Sequence, residues 1–480
     1  MNYGMVLRVI GNLIVFEAFS MVTALAVAFY YKSSDIYAFV NTIMIMLVVG
    51  YPLSKLKVKN KDMKHKEAIS IVTFGWFVVS AFGALPFMFT GALPSFTDAF
   101  FETVSGLTTT GASVLTDIEI LPRGLLFWRS FLHWTGGMGI LVLTLAIMPT
   151  IGVGAFQIFK AETPGPVADK IVPKMKDTAR ILYTVYLGIT VIEVVLLMVG
   201  GMSLYDALVN TFGTVGTGGF SNYNASIGHY QNHYFYFVIG FFMVASGVNF
   251  SLYYELYRGR VKTIFSNLEF KVYIGIVIAA TLLVFFNILG RYESIPATLN
   301  QAFFQVSSII TTTGYATTDF DLWPDFSKGI LFLLMFVGAS AGSTGGSIKV
   351  IRLIILFKLV KREVLKILHP RATIPVQING KMLNTDVISG VTGFFFLYML
   401  LFVGGTLLVS LENVGLVSAA SAVAATLGNI GPGLDFVGPT KNYSLFSDAT
   451  KWLLSFMMLF GRLELFTFFI VMTPSYWKKV

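Results

Sequence analysis

Four short segments of the 480-residue chain hold the residues best suited to chemistry. They read FTDAFFETVSGLTTTGAS from Phe96, LYDALVNTFGTVGTGGFS from Leu204, LNQAFFQVSSIITTTGYA from Leu299 and VSAASAVAATLGNIGPGL from Val417. They align without gaps, and in each an alanine precedes a glycine by 12 residues: Ala99 and Gly111, Ala207 and Gly219, Ala302 and Gly314, Ala419 and Gly431. The candidate triplets are Thr109–Thr110–Gly111, Thr217–Gly218–Gly219, Thr312–Thr313–Gly314 and Asn429–Ile430–Gly431. A dehydrating cation needs oxygens in place of water, and rings of backbone carbonyls provide them without burying formal charge. Glycine reaches the dihedrals that aim successive carbonyls to one side, and Thr adds hydroxyl oxygens. A single TTTG between helices reads as a helix C-cap or a turn. Four copies at one fixed offset make that reading insufficient.

The elements that must hold these loops are apolar. Hydrophobic residues make up 55% of the chain and charged residues 12%, and the mean hydropathy is +0.74. This excludes a soluble globular enzyme and a disordered chain, and indicates a polytopic membrane protein with its apolar surface in the lipid bilayer. Spans of crossing length are expected near 9–31, 37–53, 68–90, 124–147, 181–200, 233–257, 271–290, 386–410 and 450–473. A tenth begins at Gly329 and is interrupted after Gly338. Ten crossings put both termini on one side.

Charge sets the orientation. Segment 55–67, segment 160–180, segment 258–271, segment 349–381, Arg8, Lys478 and Lys479 hold 26 of the 34 basic residues, all on one side of the ten-span arrangement. Asp319, Asp321, Asp325, Asp435 and Asp448 lie on the other. Basic loops stay in the cytoplasm, so both termini are expected there. The net charge of +9 is then a matter of topology and implies no nucleic acid. Cysteine is absent, which removes disulfides, thiolate metal sites and Cys nucleophiles.

The four glycines recur 108, 95 and 117 residues apart, an internal repeat. Each repeat runs span, short helix, Gly-rich loop, span. The short helix cannot cross the bilayer, and non-helical backbone at membrane depth must face protein or a water-filled cavity. The expected fold is therefore an all-α polytopic membrane protein. Four span–pore-helix–filter-loop–span repeats form a pseudo-fourfold ring around a central pore, and an N-terminal helical hairpin precedes them. The expected division is 1–67 for the hairpin, then 68–160, 161–262, 263–381 and 382–480 for the repeats. The C-terminal, negative ends of the short helices point at the pore and favour a cation.

With the motifs TTTGAS, TVGTGGFS, TTTGYA and GNIGPGL in place, the chain resembles the Trk/Ktr/HKT superfamily of potassium-uptake proteins over residues 68–480. The extra N-terminal pair of spans resembles the bacterial TrkH type over the shorter KtrB type. The resemblance implies potassium uptake across the bacterial inner membrane, with potassium as substrate at the filter residues and no covalent cofactor. It implies potassium over sodium, because sodium-preferring plant members carry serine where Gly111 stands. It also implies a homodimer and a cytoplasmic RCK-type nucleotide-binding regulatory subunit.

The interrupted span reads GASAGSTGGS: Gly338, Ala339, Ser340, Ala341, Gly342, Ser343, Thr344, Gly345, Gly346 and Ser347. This composition cannot hold a stable helix. It is either a polar linker or a segment below the filter that acts as a gate, and the resemblance favours the gate. Little packing is expected of it, and Lys349 and Arg352 just beyond are expected near the cytoplasmic surface. Arg462 in the last span is costly in lipid. It either pairs with another helix or, as the resemblance implies, faces the pore by the gate. Arg129 and His133 are expected to pack by hydrogen bonds, as are Glu17 and Glu193, although intramembrane carboxyls could also carry protons. His229 and His233 have helical metal-ligand spacing but no third ligand. A secondary transporter coupling potassium to sodium or protons is the alternative function. An enzyme is disfavoured by scattered His and no clustered acid–base set.

Overall fold

The computed structural model describes residues 1–58, 63–139 and 175–478. Lys59, Lys61, part of the 160–180 basic segment, the end of the 124–147 span and Lys479 lie outside them. The N-terminal hairpin pairs helix Tyr3–Tyr30 with helix Ile36–Ser54. Their axes touch at Gly11, where a Cβ would lie 2.5 Å from the Leu53 Cβ, the small-residue contact by which membrane helices approach closely. Buried Asp35 ties the hairpin to the first repeat by accepting the Leu125 N–H at 2.7 Å.

Four similar units follow. Their first spans are His65–Gly83 continued by Leu85–Phe89, then Met175–Val199, Leu268–Asn287 and Thr385–Val409. Their short helices are Phe96–Leu107, Leu204–Gly216, Ile295–Ile310 and Leu416–Leu427. The offset alanines Ala99, Ala207, Ala302 and Ala419 are all 0% exposed, so only a small side chain fits where each short helix packs. A two-stranded hairpin, Gln377–Ile378 with Lys381–Met382, decorates the otherwise helical chain.

The second spans differ from expectation. Segments 233–257 and 450–473 are not single helices. His233–Ser246 and Phe250–Tyr257 meet at 94°, and Asp448–Arg462 and Leu465–Met472 at 119°. In the third repeat helix Asp325–Val337 stops at the Gly-rich loop, and helix Val350–Leu368 resumes beyond it. In the first, helix Arg123–Gly137 runs to the edge of the described residues. Six described helices are long and apolar enough to cross a membrane, or eight if each bent pair is one span. The other two expected crossings are the interrupted third-repeat span and the partly described 124–147 span. Just before the bend of the last pair, Gly461 packs so close to the fourth short helix that a Cβ would stand 2.1 Å from the Leu427 carbonyl oxygen.

The four loops close into a ring. A Cβ added to Gly111 would meet the Gly218 carbonyl oxygen at 2.1 Å, one on Gly219 the Thr313 oxygen at 2.1 Å, and one on Gly314 the Ile430 oxygen at 2.0 Å. One on Gly431 would return to the Thr110 oxygen at 2.6 Å. Each repeat thus seats on the next, and the fourth seats on the first.

Candidate functional site

The four loops share one backbone. Thr109, Thr217, Thr312 and Asn429 have φ of 55°, 55°, 59° and 55°, and the glycines two residues on have φ of 80°, 79°, 86° and 100°. The residues between send their N–H groups back five positions: Thr110 to Ser105, Gly218 to Gly213, Thr313 to Ser308 and Ile430 to Ala425, at 2.8–2.9 Å. The left-handed residues send theirs back three, Thr109 to Gly106 and Asn429 to Thr426 among them. This is a Schellman cap on every short helix. The C-cap reading therefore holds for the same residues that the ion-site reading names. The cap consumes the N–H groups and leaves the carbonyls facing the other way. Among the described residues, no donor reaches the carbonyls of 109–111, 217–219, 312–314 or 429–430.

Gly218 has a second reason to be glycine. A Cβ there would lie 2.2 Å from the His133 ring. His133 Nδ1 meets the Gly106 carbonyl at 2.7 Å, and Nε2 accepts the Phe220 N–H at 3.1 Å. Those two partners fix the neutral Nδ1–H tautomer, so His133 pins the first short helix to the second loop. One turn away Arg129 pairs with Glu102 at 2.8 Å, and both are buried. Glu102 accepts the Val114 N–H, and Arg129 reaches the Ser221 carbonyl. Arg129 and His133 pack by hydrogen bonds as expected. The Glu193 carboxyl lies beside the Thr214 hydroxyl, whereas that of Glu17 has no hydrogen-bond partner among the described residues. No group of three or more metal-ligating side chains occurs among the described residues, and the His229 ring stacks on Tyr223 at 3.5 Å.

On one side the ring opens into a vestibule lined by all four glycines together with Arg129, Lys441 and Tyr443. Behind the lining residue Gly438, Asp321 accepts the Asp435 N–H. Burial pushes its carboxyl above the ordinary value, and Asp319 adds to the effect while Lys441 opposes it.

The other side is covered by the 338–347 segment, which is packed, not loose. Thr344, Gly345, Gly346 and Ser347 are buried. The Gly346 N–H donates to Thr312 Oγ1 at 2.7 Å, and a Cβ on Gly346 would stand 2.4 Å from the Gly428 carbonyl oxygen. Ser340 donates its N–H to the Gly247 carbonyl, and Thr344 its hydroxyl to the Ser246 carbonyl. The Ala341 N–H goes to Glu269 Oε1 at 2.7 Å. Gly338 and Gly342 have φ of 70° and 72°, while Ala339 is buried against the third unit and Ser343 donates to the Ser340 carbonyl. The expectation of little packing therefore fails, because the loop's polar groups replace water with the broken ends of neighbouring spans.

Lys349 and Arg352 are packed inside the protein as well. They are 1% and 4% exposed. Lys349 Nζ holds the Gly345 carbonyl, and Arg352 pairs with Glu464. Glu464 begins a new helix, since the preceding one ends at Arg462. Arg462 itself donates to the Thr344 carbonyl at 2.8 Å and to the Gly136 and Gly137 carbonyls at 2.5 and 2.6 Å. It lies against the Gly-rich loop, joining the fourth, third and first repeats beneath the ring.

Comparison with known proteins agrees with this architecture. The sequence profile of the family described as "Cation transport protein" (TrkH) matches residues 35–479. The Trk system potassium uptake protein TrkH of Escherichia coli is 39% identical, with all of both chains covered. That of Vibrio parahaemolyticus is 37% identical over the same full coverage. The chain belongs to the TrkH family. The crystal structure of the potassium transporter TrkH from Vibrio parahaemolyticus has a TM-score of 0.89 at 36% identity, covering all of both chains. The expected resemblance and the all-helical fold hold, and TrkH-family relatives are transport proteins, not enzymes.

The sequence had no signal for several site residues. Tyr315 donates its hydroxyl to the Asn210 and Phe220 carbonyls, and Tyr443 donates to the Gly431 carbonyl. Glu102, Glu269 and Glu464 hold loops or cations far away in sequence. A scan for carboxylates inside apolar helices could have flagged Glu102 and Glu269, but not their partners.

Proposed function

We propose that this chain takes up potassium across the bacterial inner membrane through the central ring, with both termini in the cytoplasm. The observation that carries it is the set of carbonyl oxygens at 109–111, 217–219, 312–314 and 429–430. They stand at the C-terminal ends of four helices with no donor among the described residues. Unpaired backbone carbonyls in a low-dielectric site call for a partner, and helix C-termini favour a positive one. The named relatives are potassium-uptake proteins of the Trk system. The triplets ending at Gly111, Gly219, Gly314 and Gly431 are the filter, and the vestibule is its outer mouth. The hairpin and four repeats divide the chain as 1–67, 68–160, 161–262, 263–381 and 382–480. A homodimer and an RCK-type cytoplasmic subunit complete the assembly. The test is uptake of potassium, rubidium and sodium into proteoliposomes at fixed potential, with and without a sodium or proton gradient. Uptake that stops when the gradient is removed would favour a coupled transporter, a reading that the buried, unpartnered Glu17 carboxyl keeps in play. No uptake of potassium at all would end the proposal.

Residues 338–347 and Arg462 are the gate. They bridge the four repeats under the ring, so a permeating ion must displace them. Gly346→Ala is expected to raise partner-free potassium uptake, because the methyl group meets the fixed Gly428 carbonyl and drives the loop away from the filter. A folded variant with unaltered uptake would leave the segment a structural strut. For Arg462→Gln the expected result is higher uptake with the same ion ratios. The substitution removes a fixed cation and its bonds to Thr344, Gly136 and Gly137, and a positive charge in a narrow low-dielectric cavity repels cations strongly. A lowered melting temperature with no gain in uptake would make Arg462 structural.

A further inference from the structure

We infer that Tyr443 sets the affinity of the outer end of the filter by holding the Gly431 carbonyl, so that only three of the four filter glycines offer a free oxygen there. The inference rests on the potassium-uptake reading and goes beyond it. The carbonyls of Gly111, Gly219 and Gly314 accept no hydrogen bond among the described residues. That of Gly431 accepts the Tyr443 hydroxyl at 2.7 Å.

The fourth glycine differs in other ways. Its φ is 100°, against 79–86° for the other three. Its seat on the next repeat is looser, 2.6 Å against 2.0–2.1 Å for the built Cβ. It is buried where the others are half-buried, and the next residue is Pro432, which has no N–H to give. Among the four filter glycines, the departures in φ, seating and burial thus fall on the one that Tyr443 touches.

Tyr443 is placed independently of Gly431. Its own N–H donates to the Ser113 carbonyl at 2.8 Å, and its ring packs on Phe101 and Phe446 at 5.6 and 5.8 Å. The hydroxyl is thus aimed by the junction of the fourth and first repeats. A carbonyl shared with an O–H donor is fixed in direction and offers less of its dipole to an ion. With the filter's cation affinity set by the number and field of its oxygens, the wild-type outer ring is a weak, quickly vacated site. Tyr443 acts through Gly431 and is a positioning residue.

The test compares wild type, Tyr443→Phe and a fluorotyrosine placed at position 443, all reconstituted in the same vesicles. Phenylalanine keeps the ring and the N–H bond but frees the carbonyl. The fluorinated phenol is a stronger donor in an unchanged shape. Expected is a fall of about threefold in the KM for potassium with phenylalanine and a rise with fluorotyrosine, with an altered potassium-to-sodium ratio in both. A purely bracing role predicts a lower melting temperature with KM unmoved, and that result would overturn the inference. So would both variants moving KM in one direction. If the phenylalanine variant fails to fold, the fluorotyrosine protein decides alone: a raised KM supports the role and an unchanged KM removes it. Absence of potassium uptake by wild type would defeat the transport reading itself, whereas active wild type with an unmoved variant KM defeats only the role of Tyr443.

Discussion

Gly111→Ser is expected to lower the potassium-to-sodium uptake ratio by on the order of tenfold, equivalent to about 1.4 kcal/mol of lost discrimination. The new Cβ would stand 2.1 Å from the Gly218 carbonyl oxygen. That atom belongs to the backbone of the neighbouring loop and cannot swing away as a side chain would. The loop must shift, taking the Gly218 carbonyl with it. Serine at a φ of 80° adds about 1–2 kcal/mol of backbone strain, which favours relaxation of the loop over a local adjustment. Gly431→Ser should act in the same direction but more mildly, since its contact distance is 2.6 Å. Parallel potassium and sodium uptake in one vesicle preparation measures both. An unchanged ratio for Gly111→Ser in folded protein would exclude Gly111 from the filter.

Arg129→Met should destabilise the protein by about 3–5 kcal/mol. Arg129 and Glu102 are 1% and 0% exposed, and removing the guanidinium leaves a carboxylate facing Ser113 and the Val114 N–H without its counter-charge. The double variant with Glu102→Gln should recover much of the loss, because it removes the stranded charge while keeping an acceptor for those donors. Thermal unfolding in detergent reads both. Equal losses in the single and double variants would show that Arg129 contributes packing alone. The double variant should still alter ion ratios, since Arg129 also holds the Ser221 carbonyl beside the second filter loop.

The ring was legible in the sequence because its geometry is local. A Schellman cap fixes the distance from the helix to its left-handed residues, and a close-packed short helix demands an alanine one helix length earlier. Together they impose the 12-residue offset from Ala99 to Gly111 and its three copies. The 338–347 segment was legible as a break, since its composition forbids a helix. Its packing was not, because the partners of Gly346, Ser340 and Ala341 lie 34 to 93 residues away and leave no period in the chain. The same holds for Arg352 and Glu464, 112 residues apart. The bends at Gly247 and Leu463 were hidden by uniform hydrophobicity, which counts apolar residues and is blind to direction.

The four quarters of the ring are covalently one polypeptide, and this removes a constraint that a pore built from four identical subunits would face. In such an assembly any element grown beneath the opening appears four times and must share one axis with its copies. A packed segment the size of 338–347 leaves no room there for three more. Here a single quarter carries it, another supplies the arginine that clasps it, and a third the ion pair beside the vestibule, while the backbones of the four loops stay nearly uniform. Substitutions accordingly act on one quadrant at a time, so the surroundings of the opening can be tuned in graded steps, without the fourfold jumps that symmetry would enforce.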